Sequence, residues 1–401
     1  MFSLDRFYHI LHDNLVSQFN NAHSRFCYPF GTYEVSGLLI SNEKNREFYY
    51  LRNYFHCYFF DQEPYYDYSL ELIKKSYYTY KDSTDRPNFI NILANSEKSD
   101  LKKDFIKSES FYDWYYFFHG FAALDWYRDF QYMNTSSFNR FDKVFICYNH
   151  LISKYRSYRL HLVSNLIDQD LIKHGHVSLF LKDTEGTWQE ELVDPQCLLD
   201  TRAKLQVQKS ISQLSAPLII DTDTPCGSMS ADVNLSDLTR ALWHVVTETV
   251  YFLPKLHLTE KIFKPIVARR PFILVAAPGN LAYLKSYGFR TFDRWIDESY
   301  DDEPDHYIRI EKITAEIARL CSMSPAQLNQ MHAEMQEVLD YNFDHFYHDF
   351  KISIVNELVD NFAGVLGQIN NGRIPNNHSR HHQRFELSPE YLVEVKKRLS
   401  K

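Results

Sequence analysis

A two-domain α/β protein built on parallel sheets is the fold this sequence predicts, and three observations carry it. The chain has 401 residues, which favours at least two cores. From residue 142 onward, short apolar runs alternate with amphipathic segments, the pattern of strand–helix–strand units. Within 240–300, a strand-like run (Trp243–Val246) leads into Glu248, then Thr259-Glu260-Lys261 opens an amphipathic segment. Pro271, an apolar run at 272–276 and a Pro278-Gly279-Asn280 turn follow, completing a βαβ half-unit whose Thr-Glu-Lys sits where such units bind anions.

The expected boundaries are 1–140 for an N-terminal domain, 141–350 for a C-terminal domain, and 351–401 for a terminal helix and polar tail. In the first, 37–40, 47–51 and 55–60 are strand-like, and 4–20 and 69–80 helical. Residues 94–109 are polar and lysine-rich and read as solvated helix and loop, and 134–140 as a linker. In the second, 142–149 is a buried strand, 156–172 a helix and 177–181 a strand. Leu320, Leu328, Met331, Met335, Val338 and Leu339 give helical spacing across 305–340. The tract 370–383 carries His378, His381 and His382 without Cys or carboxylate at ligand spacing, so a solvated linker is expected over a metal site.

Composition bounds the partners. The net charge of −8 supplies no global field for nucleic acid or anionic membrane. The 29 Tyr and 30 Phe against 11 Gly suit an aromatic-rich core or a groove where sugar rings stack. The six scattered Cys form no C-x-x-C pair and read as free thiols of a reducing compartment. The first residues lack an apolar signal region and no run is long enough to span a membrane, so a cytoplasmic protein is expected.

Four segments could carry chemistry. Thr259-Glu260-Lys261 offers a hydroxyl, helix-start N–H groups and a cation to an anion, with Glu260 suited to a sugar hydroxyl; an ordinary N-cap uses the same residues. Pro265 must kink the helix there or delay its start. The loop after the 142–149 strand holds Asn149, Lys154, Arg156 and Arg159, at the strand end where open α/β sheets bind nucleotides; solvated arginines on a helix face are the plain alternative. Asp61 and Glu63 follow an apolar strand and precede Pro64, fit for a general base or simply for a turn. His119 with Tyr127, Arg128 and Asp129 suits a polyol, or equally a helix with ion pairs.

In their order these segments resemble fucosyltransferase-type glycosyltransferases of the GT-B fold. Glu63-Pro64 is similar to that family's base, and Tyr127-Arg128-Asp129 to a stretch near the end of its first half. Asn149 with Arg159 or Arg156 resembles its diphosphate contact, and Glu248 with Thr259-Glu260-Lys261 its sugar-nucleotide site. Thr249 stands where the family has Asn, and Lys264-Pro265 is a further departure. The acidic loop 297–302 has no counterpart and is expected to be a solvated turn. The K-P…P-F-I and D-E-S-Y-D wording is similar to that of uncharacterised phage-type relatives.

The resemblance implies two Rossmann-like domains facing across a cleft, with a nucleoside diphosphate-sugar, GDP-linked and fucose-like, bound by the C-terminal one. It implies transfer to a hydroxyl with inversion and no obligatory metal. The acceptor is then a carbohydrate or other hydroxyl compound, with no membrane span. Two other classes share the fold: a virus-type enzyme that glycosylates a modified DNA base, which the acidic balance disfavours, and a non-catalytic sugar- or partner-binding module.

Overall fold

The computed structural model describes residues 55–60, 90–95, 112–116, 118, 120–132, 141–182, 186–220, 233, 238–354 and 357. The chain divides into two compact units, one of residues 1–125 with 352–401 and one of residues 126–351. The expected segments 4–20, 37–40, 47–51, 69–80, 134–140 and 370–383 lie outside the described residues, as do Asp61, Glu63 and His119.

In the first unit, β1 (Phe55–Phe60), β2 (Ile90–Asn95) and β3 (Tyr112–Tyr116) form a sheet of order β1-β2-β3. Both pairings are parallel, with Phe55 opposite Ile90 and Asn91 opposite Tyr112. Residues 94 and 95, expected to begin a solvated segment, instead end β2, and β3 has no sequence-based counterpart. The run Ile-Asn-Ile-Leu-Ala-Asn alternates too weakly to be recognised as a strand. Helix α1 (Gly120–Trp126) follows β3.

The second unit is a four-stranded parallel sheet of order β5-β4-β6-β7, comprising β4 (Lys143–Cys147), β5 (Gly175–Val177), β6 (Ala241–Thr247) and β7 (Phe272–Val275). Every residue of β6 and β7 is buried, as continuous apolar runs in a covered parallel sheet should be. The register sets Phe145 beside Trp243 and Val245 beside Ile273. Gly175 faces the Phe145 ring so closely that any Cβ there would run into it, which explains a glycine at the start of β5.

Helix α2 (Tyr158–Asp168) connects β4 to β5, and α3 (Trp188–Val193) and α4 (Thr201–Ile211) precede β6. Thr187 and Glu190 cap α3 reciprocally, and the Asp200 carboxylate accepts from the Ala203 N–H at the start of α4. Pro265 delays the next helix as expected: a 3-10 turn at Glu260–Ile262 comes first, and α5 (Phe263–Val267) follows.

The Pro-Gly-Asn turn places Gly279 at φ 80 immediately before α6 (Asn280–Ser286). The solvated turn expected at 297–302 is corrected in part: Asp297, Ser299 and Asp302 are exposed, but Tyr300 and Asp301 are buried. Both Asp301 carboxylate oxygens accept from the Leu281 N–H at 3.0 Å, and one from the Ala282 N–H at 3.3 Å. A carboxylate on the unpaired donors of a helix start explains why an acid is retained in this interior.

The helical span expected at 305–340 is two helices, α7 (His306–Cys321) and α8 (Pro325–Tyr347). Ser324 and Gln327 form a capping box at the start of α8, with Pro325 at its first position. Near its end Phe346 packs with Phe263 and Phe350. Among the described residues, Cys147, Cys197 and Cys321 are free, and no helix is long and apolar enough to cross a membrane.

Candidate functional site

In the second sheet the chain runs from β4 outward to β5 and then returns to β6 on β4's other side. The crossovers therefore diverge between β4 and β6, and open parallel sheets bind ligands in the crevice at the carboxyl ends of such a pair. Asn149, Arg156 and Arg159 follow β4, and Glu248 follows β6.

Asn149 is fully buried and ties β4 to the segment after β5. Its amide donates to the Ser178 carbonyl (3.1 Å) and the Cys147 sulfur (3.2 Å), while its backbone N–H donates to Ser178 Oγ (2.9 Å). Burial pushes the Cys147 thiol up to about 12, against the opposing pull of Asn149 and Arg159, so that thiol is inert near neutrality.

A 3-10 turn, Lys154–Arg156, then leads into α2, with Lys154 in the left-handed region at φ 52. Arg156 is half-buried. Arg159 is only 4% exposed and turns inward. Its guanidinium donates to the carbonyls of Leu151 (2.8 Å), Thr247 (3.0 Å) and Glu248 (3.4 Å), bracing the two strand exits against each other.

The Glu248 carboxylate lies wholly inside. One oxygen accepts from the Thr259 N–H (3.1 Å), the other from the Thr259 hydroxyl (2.6 Å). Burial raises its pKa, Lys261 and the Thr259 bonds counter that, and the Glu260 charge adds to it. Thr259 Oγ1 in turn accepts from Lys261 Nζ at 2.9 Å, and the same ammonium reaches Glu260 Oε1 at 3.2 Å. Glu260 is nearly buried, whereas the Lys261 side chain is 32% exposed. A relay thus runs from Arg159 through Glu248 and Thr259 to a lysine that meets solvent.

Tyr127, expected on the acceptor side, falls in the second unit, fully buried, with its hydroxyl 3.4 Å from the Glu260 carbonyl. The Tyr347 hydroxyl donates to the Tyr127 carbonyl at 2.8 Å. Arg128 and Asp129 belong to the 3-10 turn Arg128–Tyr132, and their side chains lie outside the described residues. Tyr158, Ser178 and Thr247 were missed as site members. Only Tyr158 had a sequence signal, its place beside Arg159 at the start of the helix. Among the described residues no three His, Cys, Asp or Glu side chains are arranged to hold a metal ion.

No family model matches this chain, and no curated protein matches it. Several solved structures do. An α,α-trehalose-phosphate synthase (UDP-forming) from Burkholderia vietnamiensis aligns over 91% of this chain and 81% of its own, at 11% identity and TM-score 0.41. The α,α-trehalose 6-phosphate synthase of Burkholderia multivorans aligns over 92% and 78%, at 11% identity and TM-score 0.39. A UDP-forming α,α-trehalose-phosphate synthase from Burkholderia xenovorans aligns over 88% and 80%, at 11% and 0.38. Superposition at this level says nothing of substrate.

Proposed function

We propose that this protein is a GT-B-type glycosyltransferase that moves a sugar from a nucleoside diphosphate to an acceptor hydroxyl. One observation carries the proposal: the segments with fucosyltransferase-like wording in the second half converge on one spot. Asn149, Arg159, Glu248 and Thr259-Glu260-Lys261 lie at the carboxyl ends of β4 and β6, where the crossovers diverge, and Arg156 sits in the turn that leads from β4 into α2.

Burial divides the labour among them. Arg156 and Lys261 reach solvent and would meet the diphosphate, stabilising the charge that develops as it departs. Asn149, Arg159, Glu248 and Thr259 are buried, and the Thr259 hydroxyl, itself bonded to Glu248, accepts from Lys261. Glu260 pairs with Lys261 and would accept from a sugar or ribose hydroxyl.

Glu63 would take the acceptor proton as the hydroxyl attacks the anomeric carbon, inverting it, and His119, Arg128 and Asp129 would line the acceptor. A GDP-linked, fucose-like sugar is the first donor to test, because the resemblance names it. Glu63→Gln should abolish transfer while diphosphate binding persists. Undiminished transfer in that variant removes Glu63 from the reaction.

A further inference from the structure

We infer that Tyr158 is a positioning residue for the donor site: from the first turn of α2 it fixes the Glu248 carbonyl, and with it the direction in which the carboxylate under Thr259 and Lys261 points. This role presupposes the donor site proposed above. The Tyr158 hydroxyl donates to the Glu248 carbonyl, and the residue is fully buried. The other donor to that oxygen is Arg159 at 3.4 Å, at the long limit for a hydrogen bond.

The ring of Tyr158 is itself clamped. It stacks on Tyr251 with centroids 4.3 Å apart and planes 17° from parallel. The Arg309 guanidinium lies 4.2 Å from the centroid of that same Tyr251 ring. Two groups so close to one ring must take its two faces, giving a sandwich of Tyr158, Tyr251 and Arg309. Arg309 is locked in turn, donating to the carbonyls of Tyr251 and Glu303 at 2.7 Å each. The segment leaving β6, residues 247–251, is therefore held by α2 on one side and α7 on the other, with Glu248 between. Burial pushes the phenol up to about 12, so it remains a neutral donor throughout the working range.

The test is a double-mutant cycle on the full chain, reading affinity by calorimetry for whichever of UDP, GDP, ADP and dTDP the wild type binds most tightly. Tyr158→Phe keeps the stack and deletes one hydroxyl; Glu248→Gln keeps the shape and deletes the charge. Each alone should weaken binding about 5–20-fold, and the double variant should be no weaker than the worse single one. Losses that multiply, or an unaffected Tyr158→Phe protein, overturn the role while leaving the donor site standing. A wild type that binds none of the four overturns the donor site, and the role falls with it. Thermal unfolding separates positioning from general damage: a merely structural tyrosine would lower the melting temperature without the non-additivity.

Discussion

Arg159 and Glu248 are joined through the backbone: the guanidinium donates to the Glu248 carbonyl, and the carboxylate of the same residue accepts from Thr259. The arginine is thus turned inward, and Arg156 and Lys261 are the cations proposed to meet the diphosphate.

Arg159 and Arg156 should therefore fail differently. Arg159→Met leaves the carbonyls of Leu151 and Thr247 without that donor, while Glu248 keeps Tyr158, and each buried orphan costs on the order of 1–3 kcal/mol. The melting temperature should fall by about 5–15 °C, since a kilocalorie is roughly 2–4 °C in a domain of this size. Arg156→Met, at a half-buried position, should lower the melting temperature less than Arg159→Met does and lose about tenfold in diphosphate affinity. The opposite pattern in the two variants contradicts the division.

Thr259 is the hinge of the relay, donating to Glu248 and accepting from Lys261 with one hydroxyl. Thr259→Val preserves shape and removes both bonds, and diphosphate affinity should drop about tenfold. Thr259→Ser should recover most of it. Equal affinity in the valine and serine proteins would show that the hydroxyl is idle.

Acid should weaken the second unit through His332. Its Nε2 faces the Arg270 guanidinium at 3.3 Å in a buried setting, with the Phe141 ring edge-on. Burial, and then the arginine charge, lower its pKa to about 4. His244 on β6 is lowered further, to about 3, by burial and by the same Arg270, against its bond to the Leu238 carbonyl. Both imidazoles are neutral in the fold and titrate near 6.5 when unfolded, so the unfolded chain binds more protons. Their contribution is complete above about pH 6.5 and is lost as pH falls toward 4. His332→Gln should flatten part of the acid slope of denaturant-measured stability between those values; an unchanged slope would exclude His332 as its source.

Legibility in the sequence followed burial. The strands 142–149, 243–246 and 272–276 were readable because an apolar run in a covered sheet has one explanation, and the structure sets them at Lys143–Cys147, Ala241–Thr247 and Phe272–Val275. The span 177–181 was placed late, since β5 ends at Val177 and begins at a glycine chosen for the Phe145 ring, a tertiary cause no local pattern records. Asp301 was misjudged because an acid-rich loop looks solvated until the helix start it caps is known. The site's composition was visible at Glu248 and Thr259-Glu260-Lys261, yet its depth was not. Whether an arginine faces ligand or carbonyl depends on strands that meet from far apart in the chain, which is why Arg159 and Arg156 could not be ranked and Tyr158 went unseen.

The most direct measurement is calorimetric titration of the wild type and Lys261→Ala with UDP, GDP, ADP and dTDP. The account predicts that the wild type binds at least one of them and that Lys261→Ala, still cooperatively folded by its melting curve, binds it at least tenfold more weakly. Equal affinity in the two proteins, or a wild type that binds no diphosphate, would contradict it.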